Sequence, residues 1–209
     1  MRVLALTVAL LCLAAPAWAG ELAFTLTTPA GKPVPNAVVM VRPQAGIPRG
    51  PIRFPWAYVM AQQNVQFEPF VLIVPVGAEV SFPNRDAIRH HVFSFSPAKT
   101  FELKLYSADE TRVVSFPKAG VVSLGCNIHD SMSAFIRVVD TPYAVKTSAG
   151  GPAVVRDLPS GPAVVTIWHP YLKAANNETT RRVVIPPSGV LRLAVAGELR
   201  SPRLRSDGY

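Results

Sequence analysis

Residues 125–132 read Gly125-Cys126-Asn127-Ile128-His129-Asp130-Ser131-Met132. This stretch places a thiol, an imidazole and a thioether within seven residues. It follows an apolar segment, 121–126, that is typical of a strand, so the three side chains lie at a strand end and on the loop after it. Upstream, His90 and His91 open another predicted strand. A metal ion held between these two segments would have its geometry set by the fold.

Sulfur and imidazole together favour copper, with zinc as the second choice. One thiolate, two imidazoles and a distant thioether are the trigonal ligand set of a blue copper site. Cys126 is the only cysteine besides Cys12, which excludes a structural zinc site with several cysteines. The chain also lacks the Cys-x-x-Cys-His motif of covalently attached haem. The remaining alternatives for Cys126 are an inert buried thiol, an intermolecular disulfide and a nucleophile.

The rest of the chain predicts an all-β fold. Short segments rich in Val, Ile, Phe and Thr recur between Pro, Gly, Asn and Asp residues, whereas helix signals are nearly absent. Thirteen strands are predicted, at residues 22–27, 37–42, 58–62, 70–74, 79–82, 90–94, 111–116, 121–126, 134–139, 153–157, 163–168, 181–185 and 191–194. Since one sandwich needs about seven to nine strands, the number favours two β units.

Composition divides the chain into a middle block and two flanks. A Pro/Gly-rich linker at 44–51 and the end of a predicted strand near 140–142 bound the middle block, 56–140. The block has seven basic and eight acidic residues, whereas the rest of the chain after residue 19 has thirteen and five. The basic flanks and the tail, 200–209, are consistent with an acidic electron-transfer partner, with an anionic envelope surface, or with a basic face that is only solvated. Nucleic acid is not expected, because aromatic and basic residues are not interleaved.

Residues 1–19 have the pattern of a secretory signal peptide. A basic start precedes an apolar run at 3–15, and a small-x-small motif ends at Ala19. Cleavage there would remove Cys12 and leave Gly20 as the first residue of a periplasmic or secreted protein. A lipoprotein signal is disfavoured, because Leu11 stands where a small residue is needed before Cys12. No second stretch approaches the roughly 20 apolar residues of a membrane helix.

Several motifs follow one another across the middle block: Phe67-x-Pro69; Val74-Pro75-Val76-Gly77-x-x-Val80-x-Phe82-x-Asn84-x-Asp86; His90-x-Val92; Phe116-x-x-x-Gly120; and Cys126-x-x-His129-x-x-Met132. Together they resemble the cupredoxins, the family of plastocyanin-like and azurin-like blue copper proteins. The resemblance covers residues 56–140 and implies a Greek-key β-sandwich or barrel that transfers electrons through one copper ion, Cu(I)/Cu(II). Residues 126–143 also resemble exported bacterial proteins called methylamine utilisation proteins.

Carried over by position, the resemblance implies that Cys126 is the thiolate ligand, His90 and His129 are the imidazole ligands, and Met132 is the weak axial ligand. His91 takes the adjacent polar position and, by strand alternation, points to the other face; it is the alternative ligand. Met132 lies three residues after the second histidine, whereas in plastocyanin-like proteins the methionine lies five after it. The shorter spacing occurs in the binuclear copper-A site, but that site needs two cysteines, so a mononuclear centre is expected.

The flanks contain two turn motifs, Gly31-x-Pro33-x-x-x-Ala37-x-Val39 and Leu158-Pro159-x-Gly161. They resemble the carboxypeptidase-regulatory-like, transthyretin-like β-sandwich. This resemblance implies a second small sandwich made of residues 20–45 and 141–199, with the middle block inserted into it. The alternative is an N-terminal arm and a separate C-terminal sandwich. No chemistry is assigned to the flanks, and His169 is expected to be a structural or surface residue.

The sequence therefore predicts an exported electron carrier and not an enzyme. Its partner would be a redox protein such as a c-type cytochrome or a periplasmic dehydrogenase. The alternative function is a non-redox metal-binding or envelope interaction module. An enzyme with a Cys–His nucleophile is disfavoured, because no orienting Asn/Asp pattern or oxyanion helix accompanies Cys126.

Overall fold

Strands form nearly all of the regular structure in the computed structural model, which describes residues 20–201. In chain order they are β1 (Gly20–Thr27), β2 (Val38–Pro43), β3 (Ala61–Gln63), β4 (Gln66–Glu68), β5 (Val71–Pro75), β6 (Ala78–Pro83), β7 (His90–Ser96), β8 (Lys99–Tyr106), β9 (Thr111–Phe116), β10 (Gly120–Gly125), β11 (Ser133–Val139), β12 (Ala144–Lys146), β13 (Ala153–Leu158), β14 (Gly161–Trp168), β15 (Glu178–Ile185) and β16 (Val190–Ala196). The predicted all-β class is confirmed. The predicted signal peptide and residues 202–209 of the predicted basic tail lie outside the described residues.

The helical content of residues 20–201 is one short 3-10 segment, Ala175–Asn177. Across this range, the structure contains no helix with the length and apolar character needed to cross a membrane.

Each of the thirteen predicted strands overlaps a strand of the structure, and β4, β8 and β12 were not predicted. Strand β8 alternates Phe101 and Leu103 with exposed Glu102 and Lys104, and it lies at the edge of its sheet. An edge strand keeps charged side chains in water, so its composition is less apolar than that of a central strand. Strands β4 and β12 have three residues each, too few for a periodic pattern.

The first and last parts of the described chain combine in two sheets, which we call the flank sheets. One has the strand order β13-β1-β16 and the other the order β12-β2-β14-β15. The first strand runs parallel to the last, from Glu21 opposite Val190 to Thr27 opposite Ala196. Buried side chains from both sheets, among them Phe24, Val41 and Val165, form one apolar cluster between them.

Residues 61–139 form the other sheets, which we call the middle sheets. The largest has the order β5-β11-β10-β7-β8, and two pairs, β6-β9 and β3-β4, accompany it. Their core includes Phe82, Phe116 and Ile136, each fully buried. Gly77 has a φ of 85° in the turn between β5 and β6, a left-handed conformation that glycine adopts without steric cost.

An apolar junction connects the flank sheets to the middle sheets. It contains Val38 and Met40 from β2, Val71 and Ile73 from β5, and Trp168 from β14. A charged pair lies beside it: Arg137 on β11 donates to Glu178 on β15 at 2.5 Å. The Arg137 guanidinium also lies 5.8 Å from the centre of the Trp168 ring, where a cation–π contact is favourable.

His169, directly after β14, is a buried residue of the flanks. The backbone N–H of Tyr171 donates to its Nδ1 at 3.2 Å. Burial lowers the pKa of His169 to about 4, and a hydrogen bond to the backbone of Pro35 acts weakly in the other direction. The folded protein therefore holds this imidazole neutral at neutral pH.

We expect His169 to make folding stability depend on pH. The ordinary histidine pKa is about 6.5, so between pH 6.5 and about 4 the unfolded chain binds a proton that the folded chain does not. The free energy of unfolding should therefore fall by up to roughly 3 kcal/mol between pH 7 and pH 4 through this residue alone. Urea denaturation of the metal-free protein at several pH values measures it. The His169→Asn variant, whose amide oxygen can also accept from Tyr171, should show a shallower pH dependence; an equal slope in both proteins would contradict this.

Candidate metal centre

Strand pairing brings two distant segments together. Strand β10 runs antiparallel to β7 with Gly125 opposite Phe93, so the end of β10 lies beside the beginning of β7. This register places Cys126, which follows β10, near His90, which begins β7. The loop between β10 and β11 then turns back, with the N–H of Met132 donating to the carbonyl of His129 at 3.0 Å.

The result is a cluster of His90, Cys126 and His129, whose ligand atoms all lie within 4.8 Å of one another. Cys126 Sγ and His129 Nδ1 are 3.7 Å apart. At bond lengths of about 2.3 Å to sulfur and about 2.0 Å to nitrogen, two ligands of a trigonal metal site are separated by about 3.7 Å. Cys126 and His129 therefore have the spacing that a shared metal ion requires, and His90 lies close enough to join them after a small shift.

His90 offers one nitrogen to such an ion. The side chain is fully buried, and its Nε2 lies 2.7 Å from Asp86 Oδ2. An ionised carboxylate only accepts hydrogen bonds, so Nε2 carries the proton and Nδ1 keeps its lone pair. Nδ1 is buried and has no hydrogen-bond partner among residues 20–201. A buried acceptor without a partner is costly, and a metal ion would satisfy it.

Asp86 is itself held in place by the backbone. The N–H groups of Asn64 and Val65 donate to its two carboxylate oxygens at 2.6 and 3.0 Å. Burial acts to raise the pKa of Asp86, but the hydrogen bonds from Val65, His90 and Asn64 outweigh it and lower the pKa below its usual value. The carboxylate is therefore ionised at neutral pH and fixes the orientation of the His90 ring.

The turn that carries Asp86 depends on Asn84, which is buried. The Asn84 amide donates to the carbonyls of Ile88 at 2.8 Å and Tyr106 at 3.1 Å. Its Oδ1 accepts from the N–H of Asp86 at 3.0 Å. The asparagine thus connects the end of β6 to the beginning of β7 and sets the position of the carboxylate.

The two sulfur-containing side chains are both buried. Cys126 is a free thiol in the described chain, and Met132 is almost fully buried in the same core cluster. His129, in contrast, is half-buried. Both sulfur atoms therefore lie inside the molecule, and one imidazole of the cluster lies near the surface.

His91 does not join the cluster. Its Nε2 lies 2.8 Å from Glu102 Oε1 on β8, and its ring is 5.9 Å from that of Phe93. The structure thus brings together three of the predicted ligands and places the alternative ligand against a different carboxylate.

The ring of Phe93 lies close to the backbone of Gly125, next to the cluster. A Cβ atom on Gly125 would lie 2.8 Å from Cζ of the Phe93 ring, so the ring covers the residue that precedes Cys126. Glycine leaves this space to the ring, whereas any larger residue at position 125 would require the ring to move.

Sequence analysis did not identify Asp86 as a residue of the site. It stands four residues before His90, but on a turn, where that spacing does not bring side chains into contact as it does on a helix. Two acid–histidine pairs, Asp86–His90 and Glu102–His91, exist in the structure, and only strand pairing distinguishes the one beside Cys126.

Comparison with known proteins found similar chains among solved structures. No protein-family model matches this chain, and no curated protein matches it in sequence. A copper-containing nitrite reductase from Thermus scotoductus SA-01 is 26% identical over 42% of this chain and 23% of its own length, with a TM-score of 0.39. A reduced Cu(I) form of an amicyanin variant is 23% identical over 40% of this chain and 82% of its own, with a TM-score of 0.37. A purple cupredoxin from Nitrosopumilus maritimus is 22% identical over 36% and 84%, with a TM-score of 0.33. This chain therefore spans less than a quarter of the reductase.

We expect Asp86→Asn to weaken the binding of added Cu(II) by about 10- to 100-fold, because a carboxylate behind a histidine ligand fixes the ring and raises its basicity. Competition with a chelator of known affinity measures the effect. The matched control is Glu102→Gln, which alters the same kind of pair at His91 and should leave the affinity unchanged. Equal losses in both variants would indicate a general effect on the fold.

Proposed function

We propose that this chain is an exported copper protein of the cupredoxin type that carries electrons between redox partners. The ligand atoms of His90, Cys126 and His129 lie within 4.8 Å of one another, and the observation that supports the proposal most strongly is that the buried Nδ1 atom of His90 lacks a hydrogen-bond partner in the described chain. A metal ion bound by these three residues would satisfy it. The proposed activity is electron transfer and not catalysis.

The donor set selects the metal. One thiolate and two imidazoles suit copper in either oxidation state, and a buried methionine nearby suits a weak axial position. We assign His90, Cys126 and His129 as ligands of one ion and Met132 as the axial ligand. When bound, copper would supply one-electron chemistry between Cu(I) and Cu(II).

The protein's own residues favour that chemistry in two ways. Cys126 and His90 come from paired strands of one sheet, so their positions change little, and a rigid site lowers the reorganisation that electron transfer requires. His129 is half-buried and follows Ile128, whose side chain is 49% exposed. We expect this surface to contact the partner, such as a c-type cytochrome or a periplasmic dehydrogenase.

The division of the chain and its export are part of the proposal. We propose a copper domain, 56–140, inserted into a β-sandwich made of 20–45 and 141–199. The pairing of β1 with both β13 and β16 supports this, since each flank sheet takes strands from both ends of the chain. Export by residues 1–19 would place the thiol in an oxidising compartment, where bound metal would protect it.

We expect Cu(II) titration of the exported form, starting at Gly20, to produce an intense visible band that saturates at one equivalent. Such a band arises from charge transfer between a cysteine thiolate and Cu(II), so Cys126→Ser should abolish it. Absorption spectroscopy measures both.

Cyclic voltammetry of the loaded protein then separates the two candidate functions. A reversible couple without loss of metal supports an electron carrier. Tight binding with no reversible couple would leave a non-redox metal-binding module. Failure to retain copper would contradict both of these functions and leave the envelope interaction module.

We expect Met132→Leu to shift the visible spectrum and the reduction potential, because the axial ligand tunes both in copper–thiolate sites. Leucine keeps the apolar volume, so the fold should be retained. His91→Gln is the control and should change neither property. A shift in His91→Gln with none in Met132→Leu would mean that His91 is the fourth ligand.

A further inference from the structure

A cleft separates strand β5 of the middle sheets from strand β12 of the flank sheets. Its volume is 380 Å³, which is within the range of small-molecule sites. Apolar side chains and backbone form most of its lining, and Lys146 supplies the one cationic group: Trp56, Ala57, Pro69, Val71, Leu72, Ile73, Val145 and Lys146. The cleft lies apart from the candidate metal centre and shares no residue with it.

The ammonium of Lys146 is only partly satisfied. Its Nζ donates one hydrogen bond, to the carbonyl of Val71 at 2.8 Å, and an ammonium group has three N–H donors. Within residues 20–201, no carboxylate lies within 4 Å of it. Burial lowers the pKa of Lys146, and the more distant charge of Glu68 only opposes that effect.

Trp56 provides a comparison for Lys146, because it also donates a hydrogen bond to a backbone carbonyl of β5. Its indole N–H donates to the carbonyl of Ile73 at 2.9 Å, on the same strand as Val71, and this uses its single donor. Lys146 covers the neighbouring edge carbonyl in the same way but leaves two N–H donors and a positive charge at an apolar cleft. Lys146 is half-buried, and a partly desolvated cation is stabilised by an anionic partner.

We propose that this cleft binds a small aliphatic carboxylic acid, with the carboxylate paired to Lys146 and the hydrocarbon chain against the apolar lining. A carboxylate supplies the missing charge and accepts the two free N–H donors. The apolar lining suits a saturated chain and offers nothing to a second polar group. The proposed copper site plays no part in this binding.

Isothermal titration calorimetry of the purified protein with octanoate tests the proposal, with octanol as the neutral probe of the same chain length. We expect octanoate to bind at one site and at least about tenfold more tightly than octanol, because only the carboxylate forms charge-assisted hydrogen bonds with Lys146. Lys146→Met should remove this preference. Lys104→Met, on β8 at the opposite edge of the same sheet, is the matched control and should keep it.

A second variant covers the case in which Lys146→Met loses stability with its hydrogen bond to Val71. Ala57→Trp fills the cleft without altering that bond and should abolish octanoate binding. The proposal is overturned if octanoate does not bind, if octanol binds equally well, or if Lys146→Met keeps the preference. It is also overturned if binding disappears as protein concentration rises and sedimentation shows a dimer, since a second copy would then occupy the cleft. Copper titration of the same variants reports on the metal centre separately.

Discussion

A single buried imidazole constrains much of this molecule. His90 is removed from water completely, so each of its nitrogens needs a partner inside the protein. Asp86 satisfies one, and two backbone N–H groups together with Asn84 hold Asp86 in place. The other nitrogen has no hydrogen-bond partner among residues 20–201, and His90 lies in one cluster with Cys126 and His129. A hydrogen-bonded framework for a single side chain is what a preformed metal site requires, because the ligands must keep their positions before the ion arrives.

The same strand register determines what lies near the surface. The pairing of β10 with β7 places Cys126 inside, and the loop from β10 to β11 returns His129 to the surface. Burial protects the Cys126 thiol from solvent. The half-buried His129 imidazole would give electrons a short path to a partner protein. The proposed electron transfer uses this asymmetry, and the exposed Ile128 provides an apolar surface at the same end.

The junction between the flank and middle sheets has a different character. Its apolar core and the Arg137–Glu178 pair hold the two sets of sheets together, and buried charge is tolerated there because it is paired. Lys146 lies at the border of this junction, and among residues 20–201 no carboxylate lies within 4 Å of its ammonium. Arg137 has such a partner, and this contrast is the reason for assigning a ligand to the cleft and none to the rest of the junction.

The sequence alone determined the all-β class, the approximate position of most strands and the residue types of the candidate site. Strands with apolar alternation and the Cys126-x-x-His129-x-x-Met132 loop are local features, and local chemistry is written directly in the sequence. The sequence did not indicate strand β8. Its charged residues are tolerated because the strand lies at the edge of its sheet.

Tertiary structure decided the rest. Asp86 rather than Glu102 lies behind the histidine of the cluster, and His90 rather than His91 lies beside Cys126, because of the register of β7 against β10 and β8. Shifting a strand by one residue would exchange the two faces and with them the two histidines. Register depends on packing between segments that are far apart in the chain. For that reason the sequence analysis could only favour His90 and keep His91 as the alternative, whereas the fold places His90 in the cluster.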